Sequence, residues 1–360
     1  MRVYNFAAGP AAIPEAVLAR AAAELVEYGQ DGMSVMEMSH RSKMYLAIYE
    51  KVDATIRRVM QIPDDYKVLY LQGGATLQFS AVPMNLLTAE NPRADYAITG
   101  NFSKKAFQEA KKYGTPRIAG TSQEQGFARI PQQNELDLDP TAAYFHYCMN
   151  NTVYGSVWNY IPETGDVPLV CDMSSCILSG PIDVSKFGVI YAGAQKNMGP
   201  SGLTVVIVRK DLLKGSQAFT PTVMDWKTLA EKDSMYNTPS CYGIYFLGLI
   251  LDWIESLGGL KAMKALNDKK AKLLYDALDQ SKLFKTVIEP EYRSIMNVTF
   301  RTGSEDLDAK FVKEATAAGL VNLKGYRDLG GMRASIYNAV PYEGVEALVA
   351  FLKKFEEENA

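Results

Sequence analysis

Histidine and cysteine are scarce in this sequence of 360 residues. The histidines are His40 and His146, and the four cysteines are Cys148, Cys171, Cys176 and Cys241. None of the cysteines forms a CxxC pair, so a structural zinc site is not expected and no metal is predicted. The cysteines are interpreted as reduced core residues of a cytoplasmic protein.

Several signatures of binding and targeting are also missing. The sequence has no GxGxxG dinucleotide fingerprint and no phosphate loop ending in GKT or GKS. Its net charge of −3 gives no electrostatic basis for binding nucleic acid or a membrane surface. No apolar run is long enough to span a bilayer, and the stretch MRVYNFAAGPAAIP lacks the apolar core of a secretion signal. These absences predict a cytoplasmic protein with neither membrane nor nucleic acid as a partner.

What the sequence does contain is an alternation of helix and strand patterns. Helices are predicted at residues 14–28, 44–60, 75–87 and 103–114, and strands at 66–72, 95–99, 142–148, 167–173 and 187–193. This alternation predicts an α/β fold in which helices cover both faces of a mostly parallel sheet. After Gly258, few strands accompany amphipathic helices. We therefore predict a large domain over 16–257 and a small α+β domain built from 1–15 and 258–360.

Polar segments follow four of the predicted strands at their carboxyl ends. They are QGGAT at 72–76, MNNT at 149–152, DMSS at 172–175 and AQKN at 194–197. Ligands of open parallel sheets bind at this edge. Glycines at a strand-to-helix turn allow backbone N–H groups to approach an anion, although an isolated match is more often just a tight turn.

Asp172 and Lys196 each have two interpretations. Asp172 is either a helix cap or a carboxylate held for a protonated heterocycle. Lys196 is either an exposed turn lysine or a desolvated amine that can add to an aldehyde. Together with the glycine turn, they supply what pyridoxal 5′-phosphate (PLP) requires, which is a phosphate cradle, an acid beside the ring nitrogen and a lysine for the aldehyde.

Motifs along nearly the whole chain resemble those of the phosphoserine aminotransferases. They include NFAAGPAAIP, SVMEMSHRSK, GGATLQFSAVPMNLL, HYCMNNTVYG and MYNTPS, and the segments IYAGAQKN and GGMRASIYNA are the most specific. The resemblance implies PLP-dependent transferase fold type I, with a mostly parallel seven-stranded sheet in the large domain and a small C-terminal α+β domain.

The resemblance also implies a role for individual residues. Lys196 is the lysine bonded to the cofactor's aldehyde, Asp172 is the partner of its ring nitrogen, and Thr152 is the partner of its phenolic oxygen. The full set of cofactor-binding residues that it implies is Ala75, Thr76, Phe102, Thr152, Asp172, Gln195, Lys196, Asn237 and Thr238. Of these, Asn237 and Thr238 would reach the cofactor of a neighbouring subunit, so a homodimer with shared active sites is expected.

Substrate recognition is implied for His40, Arg41, Arg327 and Arg333. Arg333 would hold the α-carboxylate, and the other three would hold the phosphate or distal carboxylate, since guanidinium groups suit both anions. Two positions depart from the family pattern. Phe102 stands where many members have tryptophan, and Tyr326 stands where many have histidine.

The expected activity is transamination in two half-reactions between phosphoserine or phosphohydroxypyruvate and glutamate or 2-oxoglutarate, in serine biosynthesis. Phosphohydroxythreonine, on the route to pyridoxine, is a second expected substrate. Three alternatives are weighed against this: a cysteine desulfurase, a small-amino-acid or glyoxylate aminotransferase, and a catalytically silent PLP-binding regulator. A desulfurase needs a cysteine on a mobile loop, a glyoxylate enzyme has no need of several anion-binding arginines, and a silent regulator has no need of Lys196, Asp172 and Arg333.

Overall fold

A computed structural model describes residues 2–327 and 329–359 of the protein. Its strands are β1 (Tyr4–Asn5), β2 (Tyr66–Leu71), β3 (Arg93–Ile98), β4 (Thr115–Thr121), β5 (Phe145–Cys148), β6 (Leu169–Asp172), β7 (Val189–Gly193), β8 (Thr204–Arg209), β9 (Asn297–Phe300), β10 (Leu320–Val321) and β11 (Met332–Ser335). Its α-helices are α1 (Glu15–Ala23), α2 (Lys43–Met60), α3 (Gly74–Leu86), α4 (Asn101–Ala110), α5 (Trp226–Glu231), α6 (Cys241–Ser256), α7 (Gly259–Gln280), α8 (Glu305–Ala317) and α9 (Tyr342–Asn359).

The centre of the fold is a seven-stranded sheet with the order β2-β8-β7-β6-β5-β3-β4. β8 is antiparallel to both of its neighbours, and every other adjacent pair is parallel. The predicted α/β class and mostly parallel seven-stranded sheet are confirmed. β8 runs against the others because it returns directly from β7 through the loop at 194–203, whereas a parallel neighbour needs a crossover, usually through a helix.

Both faces of the sheet are buried, which explains why its central strands are almost entirely apolar. Along β7, Val189 and Tyr191 pack into the core on one face, and Ile190 and Ala192 pack into the core on the other. The first core also receives side chains from α3, α4 and α5, and the second receives side chains from α1, α2 and α6. The sheet is therefore held between two helical layers.

A separate core lies in the C-terminal part of the chain, where α7, α8 and α9 pack around the antiparallel pair β9 and β11. The N-terminal segment joins this core, because β1 pairs in parallel with β10 and Phe6 is fully buried there. These contacts support the division at 16–257 and at 1–15 with 258–360. The boundaries themselves stay a prediction.

Among the elements that differ from the sequence-based expectations are α1 and β4. α1 ends at Ala23, earlier than the predicted 28, because the chain then turns through Gly29 and Gly32, which both have positive φ. β4 was not predicted. It is an edge strand in which only Ala119 is buried, and it contains Pro116 and Gly120, so it lacks the apolar alternation of a strand.

Within the described residues, no single helix has the length and apolar character needed to cross a membrane. α6 and α7 meet the length and composition criteria only when taken together, as a pair bent by 80°.

The carboxyl ends of β5, β6 and β7 lie at one edge of the sheet. Cys148 at the end of β5 is in register with Asp172 at the end of β6, and Asp172 is in register with Tyr191 of β7. The polar segments that follow these strands are therefore brought together.

Candidate active site

Lys196 and Thr152 meet at this edge of the sheet. Lys196 follows β7, Thr152 follows β5, and the Lys196 Nζ donates a hydrogen bond to Thr152 Oγ1 over 2.8 Å. The same Nζ lies 5.4 Å from the centroid of the Phe102 ring, in the first turn of α4. Three separate strand ends therefore contribute to one site.

The Lys196 side chain is more easily deprotonated than that of an ordinary lysine. Burial lowers its pKa to about 8, the nearby Asp172 carboxylate opposes this change, and the Arg333 guanidinium reinforces it. A much larger fraction of the side chain is therefore unprotonated near neutral pH than for an ordinary lysine. Lys196 is thus a half-buried amine and not an exposed surface lysine.

Asp172 is a buried carboxylate, with 8% of its surface exposed. Its Oδ1 accepts a hydrogen bond from the Ser174 backbone N–H at 2.9 Å, and the Cys148 Sγ lies 3.9 Å from Oδ2. Burial raises the pKa of Asp172, and its hydrogen bonds with Ser174 oppose the increase. The capping bond uses one oxygen, and the other has only a weak thiol donor, so the carboxylate retains accepting capacity for a protonated ring nitrogen.

The glycine turn begins α3. Gly73 and Gly74 have φ of +91° and +68°, which favours glycine at both positions. A Cβ on Gly73 would also collide with the Leu77 side chain. No side chain caps this helix terminus, so its backbone N–H groups are available to an anion. Of the two residues predicted to contact the phosphate, Ala75 is half-buried and Thr76 is exposed.

Arg333 lies on β11 and faces the same site. Its Nη1 donates a hydrogen bond to the Thr152 carbonyl oxygen at 3.3 Å, so Thr152 contacts both Lys196 and Arg333. The Arg333 Nε is buried and has no hydrogen-bond partner among the described residues. An unpaired buried donor on a guanidinium is suited to a carboxylate ligand.

The other predicted substrate residues are more peripheral. Arg41 and Arg327 are exposed, and His40 is half-buried with an Nε2 that lacks a partner in the described part of the chain. Tyr326, next to Arg327, lines an open cavity of about 820 Å³ together with Gly73 and Thr76. The structure therefore brings Tyr326 to the glycine turn, whereas it does not bring Arg41 into contact with the Lys196 cluster.

Gln195, Asn237 and Thr238 are the remaining residues predicted to bind the cofactor. The Gln195 carbonyl oxygen accepts a hydrogen bond from the Ala11 backbone N–H at 2.8 Å. Asn237 and Thr238 are exposed, and the Thr238 carbonyl oxygen accepts from Gln72 Nε2 at 3.0 Å. Both residues are thus on the surface beside the glycine turn of their own chain.

One part of the site had no role assigned from the sequence. The N-terminal segment at 8–11 covers Lys196, and Gly9, at φ +142°, lies against the stem of that side chain. Tyr337 OH donates to the Ala8 carbonyl oxygen at 3.0 Å, which fixes the segment. The motif NFAAGPAAIP was noted in the sequence, but only this long-range contact shows that it packs against Lys196.

The whole chain has relatives among known proteins. Residues 3–348 match the family model described as aminotransferase class-V. The chain belongs to the class-V aminotransferases. It is 54% identical over 358 residues to the phosphoserine aminotransferase of Pseudomonas aeruginosa, with 99% of each chain covered.

Solved structures of phosphoserine aminotransferases are similar to this chain over nearly their whole length. The phosphoserine aminotransferase from Bacillus circulans subsp. alkalophilus superimposes with a TM-score of 0.98 at 48% identity, covering 100% of this chain and 99% of that one. The PLP-bound phosphoserine aminotransferase from Trichomonas vaginalis gives 0.94 at 43% identity, covering 98% and 100%.

The residues of this aminotransferase fit PLP. A helix terminus without a cap suits the phosphate, and a buried carboxylate with accepting capacity suits the ring nitrogen. A half-buried amine of lowered pKa suits the aldehyde, and an aromatic ring lies beside it. Each requirement is met by a different element of the sheet edge.

Proposed function

We propose that this chain transfers amino groups between phosphoserine or phosphohydroxypyruvate and glutamate or 2-oxoglutarate, in serine biosynthesis. The observation that carries the proposal is the contact of Thr152 with both Lys196 and Arg333. It places an amine of lowered pKa beside a guanidinium with an unpaired donor, which suits an α-amino acid. Phosphohydroxythreonine carries the same two anionic ends and stays a predicted second substrate.

PLP is the cofactor. When bound, it supplies an electron sink for the negative charge that develops at the substrate α-carbon. Asp172 would hold its ring nitrogen, Thr152 its phenolic oxygen, Lys196 its aldehyde, and the turn at 73–76 its phosphate. Phe102 would pack on its ring, and Gln195 would lie beside its phosphate.

The chain's own groups then perform the proton chemistry. The Lys196 Nζ takes the proton from the substrate α-carbon as a general base, and its lowered pKa keeps the amine available for this near neutral pH. Asp172, kept dry by burial, stabilises positive charge on the group it faces. The N-terminal segment at 8–11 keeps bulk water from the stem of Lys196.

Arg333 is the proposed anchor of the α-carboxylate. The bond from its Nη1 to the Thr152 carbonyl orients the guanidinium, and its buried Nε remains to donate to the substrate. His40, Arg41 and Arg327 are proposed to hold the distal phosphate or carboxylate. A phosphate carries more charge and more acceptor oxygens than a carboxylate, which favours a cluster of several cationic donors.

A homodimer with shared sites is the proposed assembly. Leu77, Val223 and Tyr236 are large hydrophobic residues that are 36%, 53% and 45% exposed around the glycine turn and the segment at 237–238. In a twofold dimer, a self-complementary patch at this position brings each chain's Asn237 and Thr238 towards its partner's glycine turn. An apolar surface next to the site supports that arrangement.

The proposed location is the cytoplasm. All four cysteines are free, and Cys148 and Cys171 are buried in the sheet. Reduced cysteines are typical of intracellular proteins.

The positions of the buried cysteines also bear on the desulfurase alternative. Cys148 and Cys171 lie in buried strands, where a thiol is inert, and burial raises the pKa of both. A desulfurase needs a reactive cysteine on a mobile loop, so these two residues do not support that alternative.

A spectroscopic experiment separates the candidate functions. The protein is loaded with PLP, and its absorbance is followed as glutamate, cysteine or alanine is added. Transamination predicts that glutamate converts the spectrum to that of pyridoxamine phosphate and that phosphohydroxypyruvate reverses the change. Formation of alanine from cysteine, with the sulfur left as a persulfide on an enzyme thiol and the PLP spectrum restored, would indicate a desulfurase. No change with any amino acid would indicate a silent binding protein.

A further inference from the structure

A buried lysine lies outside the residues assigned so far. Lys270 is in α7 and is 0% exposed. Its Nζ donates to the backbone carbonyl oxygens of Ile336, Tyr337 and Val340 at 3.1, 2.8 and 3.0 Å, and lies 3.5 Å from that of Asn338. The cost of burying an ammonium group is therefore offset by backbone carbonyls.

The carbonyl cluster favours the charged form of Lys270. Burial lowers the pKa of this lysine to about 7. The four carbonyl oxygens oppose this change, because they only accept hydrogen bonds and an ammonium offers three donors. A neutral amine would direct its lone pair at one of these oxygens, which is unfavourable. The arrangement of the carbonyl oxygens therefore favours an ammonium group.

The segment at 336–340, to which Lys270 donates its hydrogen bonds, connects the two predicted domains at the active site. It follows β11 directly, and the Ile336 backbone N–H still donates to the carbonyl oxygen of Met296, the residue before β9, at 2.9 Å. The Asn338 backbone N–H donates to Asn197 Oδ1 at 3.1 Å, and Asn338 Nδ2 donates to the Leu178 carbonyl oxygen at 2.9 Å. From α7, Asn267 Nδ2 donates to Asn338 Oδ1 at 2.9 Å.

Two connections therefore join Arg333 to Lys196. Thr152 contacts both side chains within the site. Behind the site, the backbone runs from Arg333 on β11 into the segment at 336–340 and crosses through Asn338 to Asn197, the neighbour of Lys196. Without the Lys270 ammonium, the carbonyls of this second connection would lose their common partner.

We propose that Lys270 is a positioning residue for amino transfer. Its ammonium holds the segment at 336–340 so that the substrate carboxylate at Arg333 and the amine of Lys196 keep a fixed separation. This rests on the proposed function, because it concerns the two groups that hold and deprotonate the amino acid. Misplacement of reacting groups by about 1 Å costs on the order of 10²-fold in rate.

The test compares Lys270→Ala, Lys270→Met and the control Lys269→Ala. Lys269 is exposed on the same helix, where its Nζ lies 4.0 Å from the Tyr342 ring centroid. We expect kcat/KM for glutamate and for phosphoserine to fall together, by roughly ten- to a hundredfold, in both Lys270 variants and to stay unchanged in the control. PLP affinity should change little, since the proposed ring, aldehyde and phosphate partners lie in the predicted large domain. Lys270→Met keeps an apolar stem, so it reports on the charge if Lys270→Ala does not fold.

Chemical rescue separates positioning from stability. Methylammonium is smaller than the four heavy atoms that Lys270→Ala removes and should restore kcat/KM by about tenfold, whereas methanol, which is neutral and of similar size to methylammonium, should not. The affinity for 2-oxoglutarate, measured by calorimetry, should likewise fall in Lys270→Ala and recover with methylammonium but not with methanol. This measurement needs no turnover, so it tests the role of Lys270 even if amino transfer itself is not observed. Unchanged kcat/KM in the folded variants, or equal restoration by methanol, would overturn the proposal.

Discussion

The site has a buried floor and an exposed rim. On the floor, Lys196, Thr152 and Asp172 lie at the ends of adjacent strands and make hydrogen bonds to neighbouring residues. Thr152 and Asp172 are buried, and Lys196 is half-buried. On the rim, Arg41 and Arg327 are exposed. The groups proposed for the chemistry are therefore held at the sheet edge, whereas two of the residues proposed to recognise the distal group are in contact with solvent.

Burial explains the different properties of the two regions. On the floor, desolvation lowers the pKa of Lys196 to about 8, which makes its amine more available for proton transfer. Desolvation raises the pKa of Asp172, so its carboxylate is stabilised most when a cationic group lies against it. On the rim, charges in contact with water are screened by salt and contribute mainly when an anionic ligand arrives. Substitutions on the floor should therefore abolish catalysis, and substitutions on the rim should change which substrate is preferred.

The largest effect is expected from Lys196→Ala. Loss of the amine removes both the partner of the cofactor's aldehyde and the general base, so amino transfer should fall by roughly 10⁴-fold or more, the upper end for a positioned proton-transfer group. The fold should remain, because the lysine lies at the edge of the core. Activity is measured by single-turnover kinetics, and folding by circular dichroism. Substantial phosphoserine formation by this variant would refute the role of Lys196.

Asp172→Ala should have the next largest effect. Removing the carboxylate takes away the charge that stabilises a protonated ring nitrogen in a dry site, and kcat should fall by about 10²- to 10³-fold, more than PLP affinity does. Asp183→Ala is a matched control, because Asp183 Oδ1 accepts from the Ser185 N–H at 3.0 Å in the same kind of turn on the surface. If the two variants lose the same small amount of activity, Asp172 is a structural cap only.

Arg333→Ala and Arg327→Ala should separate the common anchor from the rim. Loss of Arg333 should weaken kcat/KM for glutamate and phosphoserine about equally, since both carry the α-carboxylate. Loss of Arg327 should lower kcat/KM for phosphoserine more than for glutamate, by about 1.5–3 kcal/mol, or ten- to a hundredfold. Because Tyr326 can supply only a neutral hydrogen bond, more of this recognition should fall on Arg327 and His40.

The control for the rim is Lys324→Ala, which removes an exposed cation from the same segment as Arg327. It should leave the ratio of the two kcat/KM values unchanged. Equal losses for both substrates in Arg327→Ala would show that the assignment of the distal group is wrong, even with the aminotransferase activity intact.

The smallest effect concerns the partner subunit. If Asn237 and Thr238 reach across a dimer, Asn237→Ala should weaken PLP binding by about tenfold, as expected for the loss of one hydrogen bond to a charged group. Dilution of the wild-type protein to monomers should release PLP. Sedimentation at falling concentration, followed at the cofactor's absorbance, measures both states. A monomer that retains PLP fully would contradict a shared site.

The sequence was sufficient for the features governed by local pattern. The central strands are apolar on both faces, and the polar segments after them mark the edge where Asp172 and Lys196 lie. β4 was missed because an exposed edge strand with Pro116 and Gly120 carries no such pattern. Lys270 was missed because its neighbours in the sequence make it look like a surface lysine.

A signal for Lys270 was present but depended on helical spacing. Met263, Asn267, Lys270 and Leu274 follow one another at intervals of three and four residues, so the lysine falls on the buried face of α7. Its carbonyl partners come from residues 336–340, far along the chain, and no local pattern indicates them. The same holds for the N-terminal segment that covers Lys196.

The central claim is that the buried floor of the site carries out amino transfer and that the exposed rim recognises a phosphate group. The most direct test compares phosphoserine with serine as amino donor to 2-oxoglutarate in the PLP-loaded wild-type protein. Both molecules offer the same α-amino acid to Lys196 and Arg333, and only phosphoserine offers a phosphate to His40, Arg41 and Arg327. We predict a kcat/KM for phosphoserine at least about 10²-fold higher, since several charge-assisted bonds are lost with serine. Equal values for the two donors would contradict the account.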